Sequence, residues 1–354
     1  MQDTIEGLQE IRELAGQFAV ERLRPHVEHW DHDRALDGDA IARLAELGFH
    51  GMLVPEANGG LGFGLPAFSA VLEEIAWGEP VAAWLLVASG AVATALHRTG
   101  ARVFAPALEA IAAGQRTGSI GLAHAGGVQA VKTDEGWLLG GSARWMLRNG
   151  DADIMLVDAR IGDASQLFAC SADSSGVTSG TRETTMGLRA ARIETVDLHD
   201  VPLMAESRMD LDARAASATV QRLGSAAIAV GIARAALDHA RAYADVREQF
   251  GRRLRGFQGI RALLADMDTR AAAARALLAA AAAAADAAAA AKARLFASET
   301  AMWVSTQAVQ IFGGYGYMRD YPVEKLMRDA KATEILTDTN EALRERIAGA
   351  LYDD

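Results

Sequence analysis

Cysteine is almost missing from this sequence of 354 residues, in which Cys170 is the only one. A single cysteine excludes an internal disulfide and a metal site built from several cysteines, and we expect no metal. We predict that Cys170 is a small packing residue of a strand rather than a nucleophile. Basic residues are outnumbered, 35 Lys and Arg against 46 Asp and Glu, which gives a formal net charge of −11. That balance argues against a nucleic-acid groove, which needs clustered Lys and Arg.

Signals for export or membrane insertion are also lacking. No charged and then apolar leader opens the sequence. The alanine-rich run 278–291 is interrupted by Asp286 and has high helix propensity but low hydrophobicity, so it predicts a helix rather than a membrane span. We therefore expect a cytoplasmic protein with no membrane or nucleic-acid partner.

Apolar residues make up 51% of the chain, and their spacing divides it into three parts. Residues 1–113 and 213–354 have helical periodicity, whereas 114–212 breaks into short apolar runs separated by turns such as Asp134-Glu135-Gly136. Strands are predicted at 119–123, 128–132, 137–145, 154–161, 166–172 and 193–198, and long helices near 66–77, 80–98, 256–284 and 287–312. The sequence thus predicts an N-terminal α-helical domain, a middle β-domain and a C-terminal α-helical bundle.

Two local signals add detail to the helical parts. Asp39 is the predicted N-cap of a helix that carries Ile41 and Leu44 and ends at Gly48. His239 lies on the apolar face of a helix that ends near residue 246, where a histidine is more often a satisfied packing residue than a ligand.

The stretch from Trp303 to Glu341 has the strongest local pattern. A helical run ends in Gln310-Ile311-Phe312, and the run Gly313-Gly314-Tyr315-Gly316-Tyr317 is too rich in glycine to continue it. A charged helix is then predicted from Pro322 to about Leu336, with Pro322 in its first turn. The glycines alone are typical of a tight turn between helices, and they also permit close approach of the backbone to a phosphate or ribose.

Together with a second block, this stretch resembles the acyl-CoA dehydrogenase family over nearly the whole chain. The second block is Arg247-Glu248-Gln249-Phe250-Gly251, followed by Phe257-Gln258 and Ala265-Asp266-Met267, and the loop from Val54 to Gly62 is similar to the family's PE..GGLG loop. The resemblance implies a helical domain, a β-barrel-like domain and a four-helix bundle that pairs subunits into dimers. It also implies the chemistry: a carboxylate removes the α proton of an acyl thioester while the β hydride passes to the flavin of FAD.

The base that this chemistry needs is missing. In the family the usual carboxylate is the Glu of a Tyr-Glu-Gly-Thr-like segment, and here Thr337 stands in its place within Leu336-Thr337-Asp338-Thr339. A minority of the family carries the Glu just ahead of an arginine on an earlier helix, where this chain has Gln221 before Arg222. Neither Thr nor Gln accepts a proton at neutral pH. Asp338 is one residue out of place, and we interpret it as a solvated or capping residue.

The flavin-ring pocket also departs from the family. The family has a Thr-Glu-Pro-x-Ala-Gly-Ser-Asp-like loop in this pocket. The matching segment of this sequence, from Leu122 to Gly127, is shorter and lacks the Ser. The strand that reads Trp-Ile-Thr in the family reads Trp145-Met146-Leu147, and Leu147 cannot donate a hydrogen bond to the flavin.

The adenine side matches the family. The resemblance implies that the pyrophosphate and adenosine of FAD are contacted, across a subunit interface, by Arg247, Phe250, Gln258, Gln310, Gly313, Gly314 and Thr339. Arginine suits a diphosphate because its planar fork is bidentate and always charged.

This chain keeps the contacts to the FAD of a neighbouring subunit and lacks the base and the flavin-ring contacts that it would use itself. In this respect it resembles one subunit of the heteromeric α2β2 acyl-CoA dehydrogenases of actinobacterial sterol side-chain degradation. We therefore expect a base-less subunit of an FAD-dependent enzyme of lipid and steroid β-oxidation. Its expected partners are a homologous subunit that carries the Glu and binds most of the acyl-CoA, and an electron-transfer flavoprotein or similar acceptor. Two alternatives stay open: a self-sufficient dehydrogenase or oxidase with Asp338 or another residue as base, and a flavin-free scaffold or binding protein.

Overall fold

The computed structural model describes residues 5–122, 127–148, 150 and 153–352. Within them the chain runs from helices to strands and back to helices, which confirms the predicted fold class. The boundaries near 113 and 212 are a division that we propose. Around the first, a helix ends at Ala112 and a strand begins at Gly118; around the second, a strand ends at Leu203 and a helix begins at Leu211.

Six α-helices lie in the described residues of the first part. They are α1 (Ile5–Phe18), α2 (Val27–Asp33), α3 (Gly38–Glu46), α4 (Leu65–Gly78), α5 (Pro80–Arg98) and α6 (Ala105–Ala112). The predicted cap of α3 is wrong by two residues. The side chain of Asp37 accepts a hydrogen bond from the N–H of Asp39 at 3.0 Å, so Asp37 is the N-cap and Asp39 lies in the first turn.

Seven strands form one sheet in the described residues between 118 and 203. They are β1 (Gly118–Gly121), β2 (Val128–Lys132), β3 (Trp137–Arg148), β4 (Ile154–Ile161), β5 (Ala164–Ser171), β6 (Val177–Arg182) and β7 (Arg192–Leu203). The pairings β1–β4, β4–β2, β2–β3 and β3–β1 close a ring of four strands. Strand β5 adds to β4, while β7 and then β6 add to β3. This ring is the barrel-like feature that the resemblance implies.

Strand β6 is not predicted from the sequence because this edge strand reads VTSGTR and is exposed along almost its whole length. No alternation of apolar and polar residues marks such a strand. The strand predicted at 119–123 is observed to Gly121, and residue 123 lies outside the described residues.

Five α-helices follow in the described residues of the last part. They are α7 (Leu211–Val246), α8 (Gln258–Ala284), α9 (Ala287–Phe312), α10 (Val323–Ile335) and α11 (Asn340–Tyr352), with a hairpin of β8 (Glu248–Gln249) and β9 (Arg252–Arg253) between α7 and α8. Asp286, which interrupts the alanine run, is the N-cap of α9 and accepts from the N–H of Ala289 at 2.8 Å. Pro322 is the N-cap of α10 rather than a residue of its first turn.

One large apolar core joins the helical parts to one side of the sheet, and a second, smaller core includes Phe168 and Cys170 of β5. Burial raises the pKa of the Cys170 thiol to about 12, which makes it a packing residue and a poor nucleophile. Helices α5 and α7 are long and apolar enough to cross a membrane, but 89% of the apolar window of each is buried inside the protein.

Candidate functional site

The two positions at which a catalytic Glu is expected come together at one cavity. Gln221 of α7 and Thr337, between α10 and α11, both line a cavity of about 330 Å³. Ile120 of β1 and Leu156 of β4 form part of its apolar wall. We call this the central cavity. The sheet and the helical bundle therefore meet where the sequence places the reaction.

Thr337 has a backbone conformation that β-branched residues rarely adopt, with a φ of 68°. Its N–H donates to the carbonyl oxygen of Leu122 at 2.6 Å, which ties the segment after α10 to the end of β1. The residue is 8% exposed, and its Oγ1 has no hydrogen-bond partner among the described residues. A buried, unpartnered hydroxyl at a strained position is typical of a functional site rather than of a packing contact.

Gln221 is half-buried, and its Nε2 donates to Oγ of Ser217, one turn earlier in α7, at 3.4 Å. An amide and a hydroxyl can hydrogen-bond a ligand, but neither accepts a proton near neutral pH. Gln221 and Thr337 therefore equip the central cavity for binding and not for proton abstraction.

Asp338 is neither solvated nor a cap, which corrects the interpretation from sequence. Its Oδ2 accepts from Nε of Arg222 at 2.7 Å, and the two side chains are only 13% and 6% exposed. The N-terminal hydroxyl contact of α11 comes instead from Thr339, whose Oγ1 accepts from the N–H of Ala342 at 3.2 Å. Asp338 is the counter-charge of a buried arginine.

A second arginine lies beneath this segment. Arg294 of α9 is fully buried and donates to Oγ of Ser225 at 3.0 Å and to the carbonyl oxygens of Thr333, at 3.3 Å, and Leu336. Burial lowers the pKa of Arg294 to about 10, and the charge of Asp338 opposes that shift. Sequence reasoning missed Arg294, although a lone arginine on the alanine-rich face of a helix is the signal that could have found it.

The other carboxylate at the central cavity is also paired. Asp158 of β4 accepts from Nη2 of Arg214 at 3.1 Å. Among the described residues, Asp158 and Asp338 are the carboxylates that line this cavity, and each contacts an arginine. Every carboxylate in the described lining of the central cavity therefore has an arginine as its partner.

Two predicted departures from the family fall elsewhere. Residues 123–126 of the shortened loop lie outside the described residues. Leu147 is 1% exposed and packs in the large apolar core, so it does not line the central cavity. Leu147 of β3 pairs with Ile120 of β1. The loss of a flavin hydrogen bond at Leu147 thus has no support from its position.

The predicted adenine-side residues divide into two groups. Arg247, Gly313 and Gly314 line one open cavity of about 580 Å³, with Tyr243 and Tyr315 among its walls, which we call the glycine-turn cavity. The guanidinium of Arg247 lies 5.3 Å from the ring centroid of Tyr315, and no ion pair of Arg247 occurs among the described residues. Around Gly313 and Gly314 a Cβ would meet no atom within 4 Å, so the backbone there is open to a ligand.

The remaining predicted cofactor residues do not line this cavity. Phe250 is 93% exposed at the tip of the β8–β9 hairpin, with a φ of 52°. Gln258, Gln310 and Thr339 are exposed on the helical surface. A large exposed aromatic side chain such as Phe250 is typical of a surface that another chain covers.

Comparisons with known proteins agree over both helical parts. Residues 6–104 match the family model described as acyl-CoA dehydrogenase, N-terminal domain, and residues 212–352 match acyl-CoA dehydrogenase, C-terminal domain. An acyl-CoA dehydrogenase of Bacillus subtilis (strain 168) is 32% identical, over 94% of this chain and 95% of that protein.

Solved structures agree over the sheet as well. A chain from a study of the electron transferring flavoprotein of Acidaminococcus fermentans has a TM-score of 0.94 and 32% identity, and the match covers 100% of both chains. Butyryl-CoA dehydrogenase from Megasphaera elsdenii has a TM-score of 0.91 and 31% identity, over 98% of each chain.

Proposed function

The chain belongs to the acyl-CoA dehydrogenase family of oxidoreductases. We propose that it is the base-less subunit of a heteromeric enzyme. In the proposed complex it completes the FAD site of a homologous partner subunit, and that partner supplies the carboxylate. The reaction introduces an α,β double bond into an acyl-CoA.

The central cavity carries this proposal. Abstraction of the α proton requires a carboxylate that is desolvated and held close to the thioester. Thr337 and Gln221 occupy the two expected positions with neutral side chains, and Asp158 and Asp338 are each engaged by an arginine at 3.1 and 2.7 Å. Each carboxylate would lose its pairing with an arginine on taking up a proton, and for Asp338 that pair is buried, which makes Asp338 a poor base.

The glycine-turn cavity fits the diphosphate end of FAD. Arg247 offers a guanidinium without an ion pair among the described residues, and Gly313 and Gly314 leave space for the phosphates to approach the backbone. FAD supplies the hydride acceptor of the family's reaction when it is bound. On this chain Arg247 would bind the negatively charged diphosphate, and the exposed Phe250 at the tip of the β8–β9 hairpin would lie against the partner.

Two further elements belong to the proposal. We propose a bulky acyl group of the sterol side-chain type, which the sequence resemblance supports. We propose an electron-transferring flavoprotein as the acceptor, which is supported by the likeness to the chain studied with the electron transferring flavoprotein of Acidaminococcus fermentans.

The test is purification of the chain alone and together with a homologous subunit that has the Glu. We expect a nearly colourless, inactive chain on its own, and a yellow complex with one FAD per heterodimer that oxidises an acyl-CoA. Stoichiometric FAD and turnover by the isolated chain would overturn the proposal and favour the self-sufficient enzyme. Absence of FAD from both preparations would favour the flavin-free scaffold.

A further inference from the structure

A third cavity shares no lining residue with either site described above. It has a volume of about 260 Å³ and lies where the segment after α1, the junction of α4 and α5, and the start of α10 meet. Arg24, Trp77, Arg189, His239 and Tyr321 are among its lining residues. We call it the Arg24 cavity.

Local backbone structure places Arg24 at this cavity. The π-helical segment Ala19–Leu23 ends immediately before it, and π-helical turns inside helices are rare and frequent at functional sites. Gly78 permits the close packing here, because a Cβ at that position would lie 2.9 Å from Cβ of Ala19. The chain at Trp77 is thereby brought against the end of the π-helical segment.

The positive charge of Arg24 has no carboxylate partner among the described residues. Its guanidinium stacks 3.8 Å from the ring centroid of Trp77 and donates to the Trp77 carbonyl oxygen at 3.3 Å. Its Nη2 lies 2.6 Å from Nε2 of His239. Asp238, the acidic residue next to His239, accepts instead from Nε1 of Trp77 at 2.9 Å. Burial lowers the pKa of Arg24, and the nearby charge of Asp238 opposes that shift only in part.

His239 is a hydrogen-bond acceptor for Arg24. A guanidinium can only donate, so Nε2 of His239 must accept and the ring proton must lie on Nδ1. Burial lowers the pKa of His239 to about 4, so the ring is neutral at pH 7 and does not repel Arg24. The prediction that the hydrogen-bonding groups of His239 are satisfied fits this contact. The partner, however, is an arginine that lines a cavity, so His239 is not only a packing residue between helices.

A second donor at the cavity lacks an acceptor. Nε of Arg189 is buried without a hydrogen-bond partner among the described residues, although Nη1 contacts Asp31 at 3.3 Å. Two of the four carboxylates in the lining are already engaged: Asp31 and Glu324 each pair with Arg328, at 2.9 and 2.7 Å. The other two are Glu28 and Asp320, and neither is in an ion pair among the described residues.

We propose that the Arg24 cavity binds a small carboxylate with a flat apolar body, such as an aromatic acid. The guanidinium of Arg24 matches a carboxylate with its remaining N–H donors. Trp77 and Tyr321 give the cavity aromatic walls that suit a ring. The volume lies just below the usual ligand range of roughly 300–1,000 Å³ and is large enough for an acid with a single ring, such as benzoate. The site is independent of the proposed heteromeric function.

Titration of the full-length protein with benzoate, followed by tryptophan fluorescence, tests the site. We expect a saturable change that is absent in Trp77→Phe and is not produced by benzyl alcohol, which has the ring without the charge. Arg24→Gln should weaken benzoate binding roughly tenfold to a hundredfold, the loss of one charge-assisted contact. The matched control is Arg22→Gln, an exposed arginine two residues earlier, which should bind as the wild type does.

Arg24→Lys keeps the charge without the fork, and we expect it to bind with intermediate affinity. All variants are first compared by thermal unfolding, so that a folding defect is recognised before binding is measured. Absence of saturable binding to the wild type would overturn the proposal. Equal loss in Arg22→Gln and Arg24→Gln would also overturn it, because general surface charge would then explain the binding.

Discussion

Oδ2 of Asp338 lies 2.7 Å from Nε of Arg222, in a buried ion pair between residues 116 positions apart. Asp338 directly follows Thr337, the position at which the resemblance places the family's catalytic carboxylate. The fully buried Arg294 lies close enough for its charge to interact with both partners. Asp338 is therefore the negative charge that makes the two buried arginines tolerable.

Asp338→Asn should destabilise the subunit by about 3–5 kcal/mol, because Arg222 and Arg294 would be left buried without a counter-charge. Urea denaturation of the purified chain measures the effect. The double variant Asp338→Asn, Arg222→Leu should recover part of the loss, since one of the two uncompensated charges is gone. Unchanged stability together with lost dehydrogenation in an FAD-loaded preparation would identify Asp338 as the base and contradict our interpretation.

Thr337→Gly should stabilise the subunit by about 1 kcal/mol, because glycine adopts a positive φ without the strain of a β-branched side chain. Thr337→Ala is the matched control. It removes the unpartnered hydroxyl and keeps a Cβ at the same φ, so the difference between the two variants isolates the backbone strain. Thermal unfolding of both, side by side, provides the measurement. Lower stability for Thr337→Gly than for Thr337→Ala would show that the backbone at this position is not strained.

The sequence predicts the order of the helices and strands well because long periodic segments such as α8 and α9 repeat one signal over many turns. It misses β6 because an exposed polar edge strand has no apolar alternation. Thr337 and Gln221 are placed together by resemblance, and the structure adds the cavity that they share.

Partners of buried charges could not be predicted from sequence. The interpretation of Asp338 fails because its partner, Arg222, lies on another element far along the chain. The same reason hides the Arg24 cavity, whose key contacts join residues 24, 77 and 239. A local sequence pattern does not identify which side chain, far away in the sequence, forms an ion pair with a given charge.

Stability should fall between pH 6.5 and pH 4 because of His50. Burial lowers its pKa from 6.5 to about 4, and its Nδ1 lies 3.0 Å from Oγ of Ser89. The unfolded chain therefore binds a proton in this window that the folded chain does not, so protonation favours unfolding as pH falls. The loss is about 3 kcal/mol at pH 4 for a shift of this size.

Denaturation curves at several pH values check this expectation. His50→Asn, which can keep an amide near Ser89, should reduce the slope between pH 6.5 and pH 4 and leave the contribution of His239, whose pKa is also lowered to about 4. His97→Asn, at an exposed histidine of α5, serves as the control and should leave the slope as in the wild type. An unchanged slope in His50→Asn would assign the acid sensitivity to other groups.

Arg247→Ala should lower FAD retention by the heteromeric complex about tenfold to a hundredfold, as expected when a charge-assisted contact of about 1.5–3 kcal/mol is lost. Folding of the subunit should change little, because Arg247 lies at an open cavity and has no ion pair among the described residues. The control is Arg253→Ala in the same hairpin, where the arginine pairs with Asp245 at 3.6 Å and lies outside the cavity lining. Flavin content after gel filtration of the three complexes decides the role. Equal FAD per heterodimer in wild type and Arg247→Ala would leave Arg247 as a stacking partner of Tyr315 alone.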